Sequence, residues 1–360
     1  MKVAIILSGG RAGSDLLQSL FDNHPQILQF PGVLTFDKKF NKIFFLKSAN
    51  KISKYFIKIN KHFFDSRHNK KERHDKLGFK KKNFYIVNKK IFIKKFLKIY
   101  NKSKKTNFDL LLSLHKAYYK HSKKKKLLIV HVHLFEFLKN YIKFIGINSN
   151  SKVLLTLRDP LVSMCSTVNH WLKYKKGIIL NPRHLFYNFD MHFNNFNNLY
   201  FLRKKIRVVK LEKLHKFSVT TIKKICNFLN INFSKNLLKS TYHGKKWWGD
   251  AISKKYLNGL NKNFKNKFDY GLFEEKEIFY LESKIFSLLK KYNYPFRSNV
   301  KKNNNFLYLM PLNIEKKIFF NTLKVKRFKS ALSFPYFLIR RIFLLKNKNI
   351  FNKSTLPREI

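Results

Sequence analysis

Four short apolar segments recur along the chain, and they constrain its fold more than any other feature. Rich in Val, Ile and Leu, they span Val3–Leu7, Leu127–Val132, Val153–Leu157 and Ile206–Leu211. Segments of this length and composition are typical of strands buried on both faces of a parallel sheet. A helical pattern directly follows the first, third and fourth, which indicates an α/β fold. Because ligands bind beyond the carboxyl ends of such strands, the turns after them are where we look for a site.

The charge of the chain is extreme, since 77 Lys and Arg against 19 Asp and Glu give a net charge of +58. Such a charge attracts polyanions. The abundance of Lys, Asn, Ile and Phe is also what a nucleotide-composition bias produces, and we favour that interpretation, expecting no specific nucleic-acid partner. Two cysteines, Cys165 and Cys226, offer neither a disulfide framework nor paired metal spacing. We expect a cytoplasmic protein without a membrane span.

Two segments differ in composition from the strand–helix units. Residues 36–125 are rich in Lys, Phe and Asn with helical periodicity, and we predict a helical insertion or lid within a domain spanning residues 1–295. Residues 296–360 form a basic C-terminal extension. Within it, residues 334–347 have the pattern of an amphipathic helix, which could lie on the inner face of a membrane. We favour its packing back onto the domain, with peripheral membrane contact as the alternative.

The turn after the first strand, SGGRAGSD at residues 8–15, precedes a helical pattern. Its glycines let backbone amides approach a ligand, and the helix start adds unpaired N–H groups, so the turn can cradle an anion. Arg11 adds a permanent charge that can fork onto oxyanions. The loop of nucleotide hydrolases needs Lys after its last glycine, whereas here Ser14 follows Gly13. An ordinary ATPase or GTPase is therefore disfavoured.

A second motif follows the third strand, where Arg158, Asp159 and Pro160 open a helix. Pro160 suits the first helical turn. Ser166 lies eight residues after Arg158, which is about two helical turns. Arg158 and Ser166 could therefore converge on one phosphate. The alternative is an exposed Arg–Asp pair and an ordinary helical serine.

The first motif resembles the 5′-phosphosulfate loop of sulfotransferases, which take a sulfuryl group from 3′-phosphoadenosine 5′-phosphosulfate. Arg11, Gly13 and Ser14 fit that loop directly, whereas Ala12 replaces a frequent Ser and Asp15 a frequent Thr or Ser. The resemblance implies that the loop binds this donor through Gly10, Arg11, Ala12, Gly13, Ser14 and Asp15. The second motif is similar to the family's R-D-P step with its later Ser, which implies that Arg158 and Ser166 bind the 3′-phosphate.

The second strand ends in His131-Val132-His133-Leu134, which is similar to the K-T-H-L strand end of many sulfotransferases. The resemblance implies that His133 is the catalytic base, with His131 and Glu136 as alternatives. His131 and His133 point to the same side of the strand because side chains alternate.

Two later segments also match the family in part. The sequence HGKKWWGD at residues 243–250 is similar to its basic glycine loop, although the spacing differs. It implies donor contacts from Lys245 and Lys246, with the two tryptophans serving either there or in the core. Residues 207–231 resemble the family's strand ending in an acidic step, and we expect Glu212 to cap or orient rather than catalyse.

The resemblance implies a parallel α/β sheet of the P-loop nucleoside-kinase-like type with helices on both faces. It implies in-line sulfuryl transfer to a hydroxyl or amine of a glycan, lipid or small metabolite, with Arg11 and His133 catalytic and no metal required. Two alternatives remain: a kinase-like phosphotransferase on the same loop, and a non-enzymatic polyanion-binding protein. The sulfotransferase interpretation requires that Arg11 and Arg158 face one cleft.

Overall fold

The centre of the protein is a six-stranded sheet whose strands all run parallel. The computed structural model describes residues 1–8, 10–119, 122, 124–173, 197–251, 256–299 and 356–360, together with short stretches between 309 and 343. In spatial order β2-β3-β1-β4-β5-β8, the strands are Ile27–Leu28 (β2), Leu127–His133 (β3), Lys2–Ser8 (β1), Ser151–Leu157 (β4), Ile206–Lys210 (β5) and Arg358–Glu359 (β8). A separate antiparallel pair joins β6 (Thr241–Tyr242) to β7 (Lys245–Lys246).

Helices connect these strands and cover the sheet. In chain order they are α1 Ser14–Leu20, α2 Lys38–Asn41, α3 Ala49–Ile59, α4 Lys61–Phe64, α5 Lys89–Tyr100, α6 Asn107–Tyr118, α7 Phe135–Ile145, α8 Pro160–Lys173, α9 Leu211–Lys216, α10 Ser218–Leu229, α11 Glu275–Lys284 and α12 Phe286–Lys291. Short 3₁₀ turns occur at Lys42–Phe45, Ser66–His68, Asn197–Leu202, Lys235–Leu238 and Tyr270–Leu272.

The alternation of side chains along β1 divides the interior into two cores. Val3, Ile5 and Leu7 face one core, whereas Ala4 and Ile6 face the other. Helices α1 and α10 pack on the second core, and the remaining long helices pack on the first. Burial on both faces explains why these strands read as continuous apolar runs. The predicted α/β fold with a parallel sheet and helices on both faces is confirmed.

All four predicted strands are present, with ends shifted by three residues or fewer. The two edge strands β2 and β8 were not predicted. Each has only two residues and pairs with one neighbour, which leaves no periodic pattern to detect.

Residues 36–118 build a helical layer on the first core. Its centre is aromatic: the ring centroids of Phe30 and Phe63 lie 4.9 Å apart, as do those of Phe64 and Phe92. These rings belong to the same continuous core as the inward face of β1. Because the layer shares the core of the sheet, its packing contributes to the stability of the whole fold.

The C-terminal extension is described only in part. The segment 334–347 lies largely outside the described residues. Across the described part of the chain, no helix combines the length and apolar character needed to cross a membrane.

Candidate functional site

A cavity of about 810 Å³ opens at the carboxyl ends of the central strands. Register brings those ends together, because Leu7 pairs with His133 and Ser8 with Thr156. The lining of the cavity comes from both sequence motifs and from the end of β3, and it includes Arg11, Ala12, Gly13, Ser14, Asp15, His133 and Arg158. The two predicted arginines therefore face one cavity. We call residues Gly10–Asp15 the first corner and Arg158–Pro160 the second corner.

Glycine determines the backbone of the first corner. Gly13 precedes α1 with φ 77° and ψ 29°, a left-handed conformation that side-chain-bearing residues seldom adopt. A Cβ atom there would lie 2.5 Å from Leu211 Cδ1, so the Leu211 side chain would have to shift to accommodate it. The N–H of Gly10 donates to Ser8 Oγ at 3.1 Å, and Gly10 itself is buried outside the cavity lining. Gly10 thus shapes the loop from behind.

The Arg11 side chain lies at the cavity wall. Its Nη1 is 3.7 Å from Asp250 Oδ2, a loose ion pair between partly exposed groups. Its Nε atom is buried and has no hydrogen-bond partner among the residues described. An oxyanion in the cavity could satisfy this donor as well as the guanidinium head.

Remote side chains hold the second corner. Arg158 Nε donates to Asn266 Oδ1 at 2.9 Å, and Asn266 Nδ2 donates to Glu212 Oε1 at 2.5 Å. Glu212 also accepts from the backbone N–H of Asp159 at 3.0 Å and from the Tyr294 hydroxyl at 3.2 Å. Burial lowers the pKa of Arg158, and the charge of Glu212 opposes that shift. Glu212 therefore orients Arg158 and is itself fully engaged.

Asp159 has a structural role, and Ser163, one helical turn later, joins the two corners. Asp159 Oδ1 accepts from the N–H groups of Leu161 and Val162 and so caps α8, while Oδ2 accepts from Arg297. Ser163 Oγ donates to the carbonyl oxygen of Gly10. This bond ties α8 directly to the first corner. Sequence reasoning missed Ser163, because nothing distinguishes it from an ordinary helical serine.

His133 faces the cavity from the end of β3. Its φ of 67° is unusual, and the Leu134 N–H bonds the Val132 carbonyl at 2.9 Å, closing a tight turn that aims the ring at the first corner. His133 Nδ1 lies 3.1 Å from Ser14 Oγ. Burial lowers the pKa of His133; Asp15 opposes the shift and Arg11 adds to it. The imidazole is therefore neutral near pH 7, the state that a general base requires.

His131 is held away from the cavity. Its Nδ1 lies 2.8 Å from Gln18 Oε1. Because Gln18 Nε2 donates to the carbonyls of Phe30 (2.8 Å) and Gly32 (2.9 Å), the amide oxygen must face His131, so Nδ1 carries the proton. The third candidate base, Glu136, is exposed on α7 and does not line the cavity. Of the three, only His133 does.

The same geometry bears on metal binding. Asp15, His131 and His133 each offer an atom within 4.8 Å of the others, a set of residue types that can hold a metal ion. The hydrogen bond to Gln18 makes His131 Nδ1 a donor, so this nitrogen cannot bind a metal, and the lone pair of the ring lies on Nε2, which is buried and has no partner among the residues described. A metal-free reaction stays a prediction.

Four of the predicted donor-binding residues lie outside the cavity lining: Gly10, as described above, and Ser166, Lys245 and Lys246. Ser166 is half-buried on α8. Lys245 Nζ donates to the Phe84 carbonyl, and Lys246 Nζ lies 4.0 Å from the Trp248 ring centroid. The structure thus does not bring these three side chains to the cavity that Arg158 faces. From the same loop it is Trp247, Gly249 and Asp250 that line the cavity.

Comparison with known proteins gives a limited result. No family model and no curated protein matches the sequence. Among solved structures, the chain is similar to the sulfotransferase domain from the Synechococcus PCC 7002 olefin synthase, with a TM-score of 0.41 and 14% identity over 70% of this chain and 79% of that one. It is also similar to the sulfotransferase domain from the curacin biosynthetic pathway, with a TM-score of 0.41 and 17% identity over 82% of this chain and 99% of that one. Similarity at this level leaves the reaction to be argued from the site.

Proposed function

We propose that this protein transfers a sulfuryl group from 3′-phosphoadenosine 5′-phosphosulfate to an acceptor hydroxyl or amine. The observation that carries the proposal is that Arg11 and Arg158 line one cavity from two different strand–helix corners. A nucleotide with anionic groups at two ends matches two separated cations better than a single phosphate does. The sequence resemblance of both corners to the sulfotransferase motifs supports the same donor.

In this scheme the two corners have different roles. Arg11 and the amides of the first corner bind the phosphosulfate and offset the negative charge that grows on the bridging oxygen. Arg158 holds the 3′-phosphate and so places the sulfur for attack. The acceptor oxygen forms a bond to sulfur while the bond from sulfur to the bridging oxygen breaks. The electron pair of that bond leaves with 3′-phosphoadenosine 5′-phosphate.

His133 takes the proton of the acceptor. When Nδ1–H donates to Ser14 Oγ, the lone pair of Nε2 is free to accept that proton. Because burial keeps the ring neutral, the base is ready at physiological pH. In this scheme Ser14 supports the productive tautomer of His133 by accepting from Nδ1–H.

The donor can be tested by calorimetry with 3′-phosphoadenosine 5′-phosphate, using ADP as the comparison because it lacks the 3′-phosphate. We expect Arg158→Ala to weaken binding of the first ligand by about 10- to 100-fold, the loss of one or two charge-assisted bonds, and to change ADP binding little. Equal binding of any polyanion with a steep salt dependence would instead favour the polyanion-binding alternative. Preference for Mg²⁺-ATP would favour the phosphotransferase.

The base can be tested by transfer of radiolabelled sulfate onto cell-envelope fractions and small hydroxyl compounds. His133→Ala should retain nucleotide binding and lose transfer, whereas Glu136→Gln should retain both. Transfer that survives in His133→Ala and disappears in Glu136→Gln would show that the base assignment is wrong.

A further inference from the structure

The mechanism above leaves one part of the cavity wall unused. Asp15, Glu72 and Asp250 all line it. The chain has only 19 Asp and Glu against 77 Lys and Arg, so three carboxyl groups at one cavity are a local reversal of its charge. A donor with anionic groups at both ends gains nothing from them, because like charges repel. They need a different explanation.

Of the three carboxyl groups, Glu72 gives the strongest indication of a ligand. Its Oε2 atom is buried and has no hydrogen-bond partner among the residues described. Burial raises the pKa of Glu72, Asp15 and Asp250 raise it further, and Arg11 and Lys71 oppose the shift. The Oε2 atom of Glu72 therefore leaves its hydrogen-bonding capacity unused.

The backbone around Glu72 is fixed in place. Trp247 Nε1 donates to the Glu72 carbonyl at 2.6 Å, and the Ala251 N–H donates to the Lys71 carbonyl at 2.7 Å. These bonds attach residues 71–72 to the same segment that supplies Asp250. The carboxyl groups are therefore placed by the fold, which makes this wall a preformed surface for a ligand.

Resting on the proposed function, we infer that the sulfuryl acceptor carries a protonated amine, which Glu72 binds together with Asp15 and Asp250. An ammonium group offers three N–H donors and a positive charge, and so matches an unpartnered carboxyl group with acidic neighbours. A protonated amine has no lone pair to attack sulfur. The reacting group is then a hydroxyl on the same molecule, and the acceptor class is an amino alcohol or amino sugar.

The competing explanation is that the carboxyl groups only neutralise Arg11, which Asp250 already contacts. Calorimetry on the complex with 3′-phosphoadenosine 5′-phosphate separates the two. The probes are 5-aminopentan-1-ol and hexan-1-ol, which differ in an ammonium group against a methyl group. We expect the amine to bind at least about 10-fold more tightly. The positive surface of the protein works against nonspecific binding of this cation.

Proton release gives a second readout. Burial and the neighbouring carboxyl groups raise the pKa of Glu72, whereas a bound ammonium group favours the carboxylate and lowers that pKa, so binding of the amine should release protons at a pH between the two values. The binding enthalpy should therefore differ between buffers of different ionisation enthalpy. Glu72→Gln should abolish both the release and the preference, whereas Glu275→Gln, an exposed site on α11, should change neither.

The outcomes distinguish this inference from the proposed function. Nucleotide binding without discrimination between the probes would overturn the inference and leave the transferase. Discrimination and proton release without nucleotide binding would retain the amine site and overturn the transferase. A Glu72→Gln variant that only tightens nucleotide binding would show that the carboxyl groups serve Arg11.

Discussion

The two corners of the cavity present similar arginines but are built in different ways. The first corner depends on backbone conformation, because Gly13 adopts a left-handed conformation beside Leu211 and this determines the path of the loop. In the second corner the backbone is an ordinary helix start. There Arg158 is aimed by Asn266 and Glu212, which lie 108 and 54 residues further along the chain.

This difference teaches where each corner is vulnerable. A loop set by backbone conformation fails when one residue is changed to one that cannot adopt that conformation. A corner set by a side-chain network fails gradually, because each bond contributes about 1 kcal/mol and the others remain. Four substitutions test this contrast, from the largest expected effect to the smallest.

Gly13→Ala should have the largest effect. Left-handed φ costs a residue with a Cβ about 1–2 kcal/mol, and the overlap with Leu211 adds about 1–3 kcal/mol. We expect the free energy of unfolding to fall by about 2–5 kcal/mol and nucleotide binding to weaken roughly 100-fold, since several loop contacts move together. Urea unfolding and calorimetry measure the two effects.

Gly244→Ala is the matched control, because Gly244 also has a positive φ, 70°, but its nearest neighbour would lie 3.7 Å from the new Cβ. It should cost only the backbone term. In a Leu211→Ala background, where the overlap is relieved, Gly13→Ala should likewise cost only the backbone term when it is compared with Leu211→Ala alone. If Gly13→Ala binds nucleotide normally, backbone geometry does not define the first corner.

Asn266→Ala tests the second corner. It removes the bond that orients Arg158 and one donor to Glu212, so we expect roughly 10-fold weaker binding of 3′-phosphoadenosine 5′-phosphate. Binding of ADP should be nearly unchanged, because this corner serves the 3′-phosphate in our scheme. Asn263→Ala, an exposed change in the same loop, is the control. Equal losses for both nucleotides would contradict the division of roles.

Ser163→Ala probes the link between the corners. It removes the hydroxyl that donates to the Gly10 carbonyl, a loss of about 1 kcal/mol, or roughly 5-fold in affinity. Both nucleotides should be affected, because the first corner is shared. Thr167→Val on the same helix removes a hydroxyl that bonds only the Ser163 carbonyl, and it should leave affinity unchanged. A Ser163→Ala effect confined to one nucleotide would mean that the corners are independent.

The same contrast explains what sequence could predict. The central strands were predictable because burial on both faces leaves continuous apolar runs, and the first corner because its glycines are local. The network around Arg158 was not, since Asn266 and Tyr294 carry no mark of their contacts. The resemblance of residues 243–250 to a basic glycine loop predicted donor contacts from Lys245 and Lys246, whereas the residues of this segment that line the cavity are Trp247, Gly249 and Asp250.

The smallest effect concerns His133, the proposed catalytic base, which contacts Ser14 of the first corner. Asp15 raises the pKa of His133 against the larger lowering by burial, so removing its charge in Asp15→Asn should lower that pKa further. Protonated His133 cannot accept a proton, and transfer is therefore lost as the pH falls through this pKa, which lies below 6.5. In Asp15→Asn the pH at which transfer is lost should decrease. Asn266→Ala should leave that pH unchanged, because the second corner has no contact with His133 in our scheme.

NMR titration of the His133 ring measures the same change in pKa and does not require activity. An increase in the pKa of His133 in Asp15→Asn would mean that Asp15 does not act on His133 through its charge.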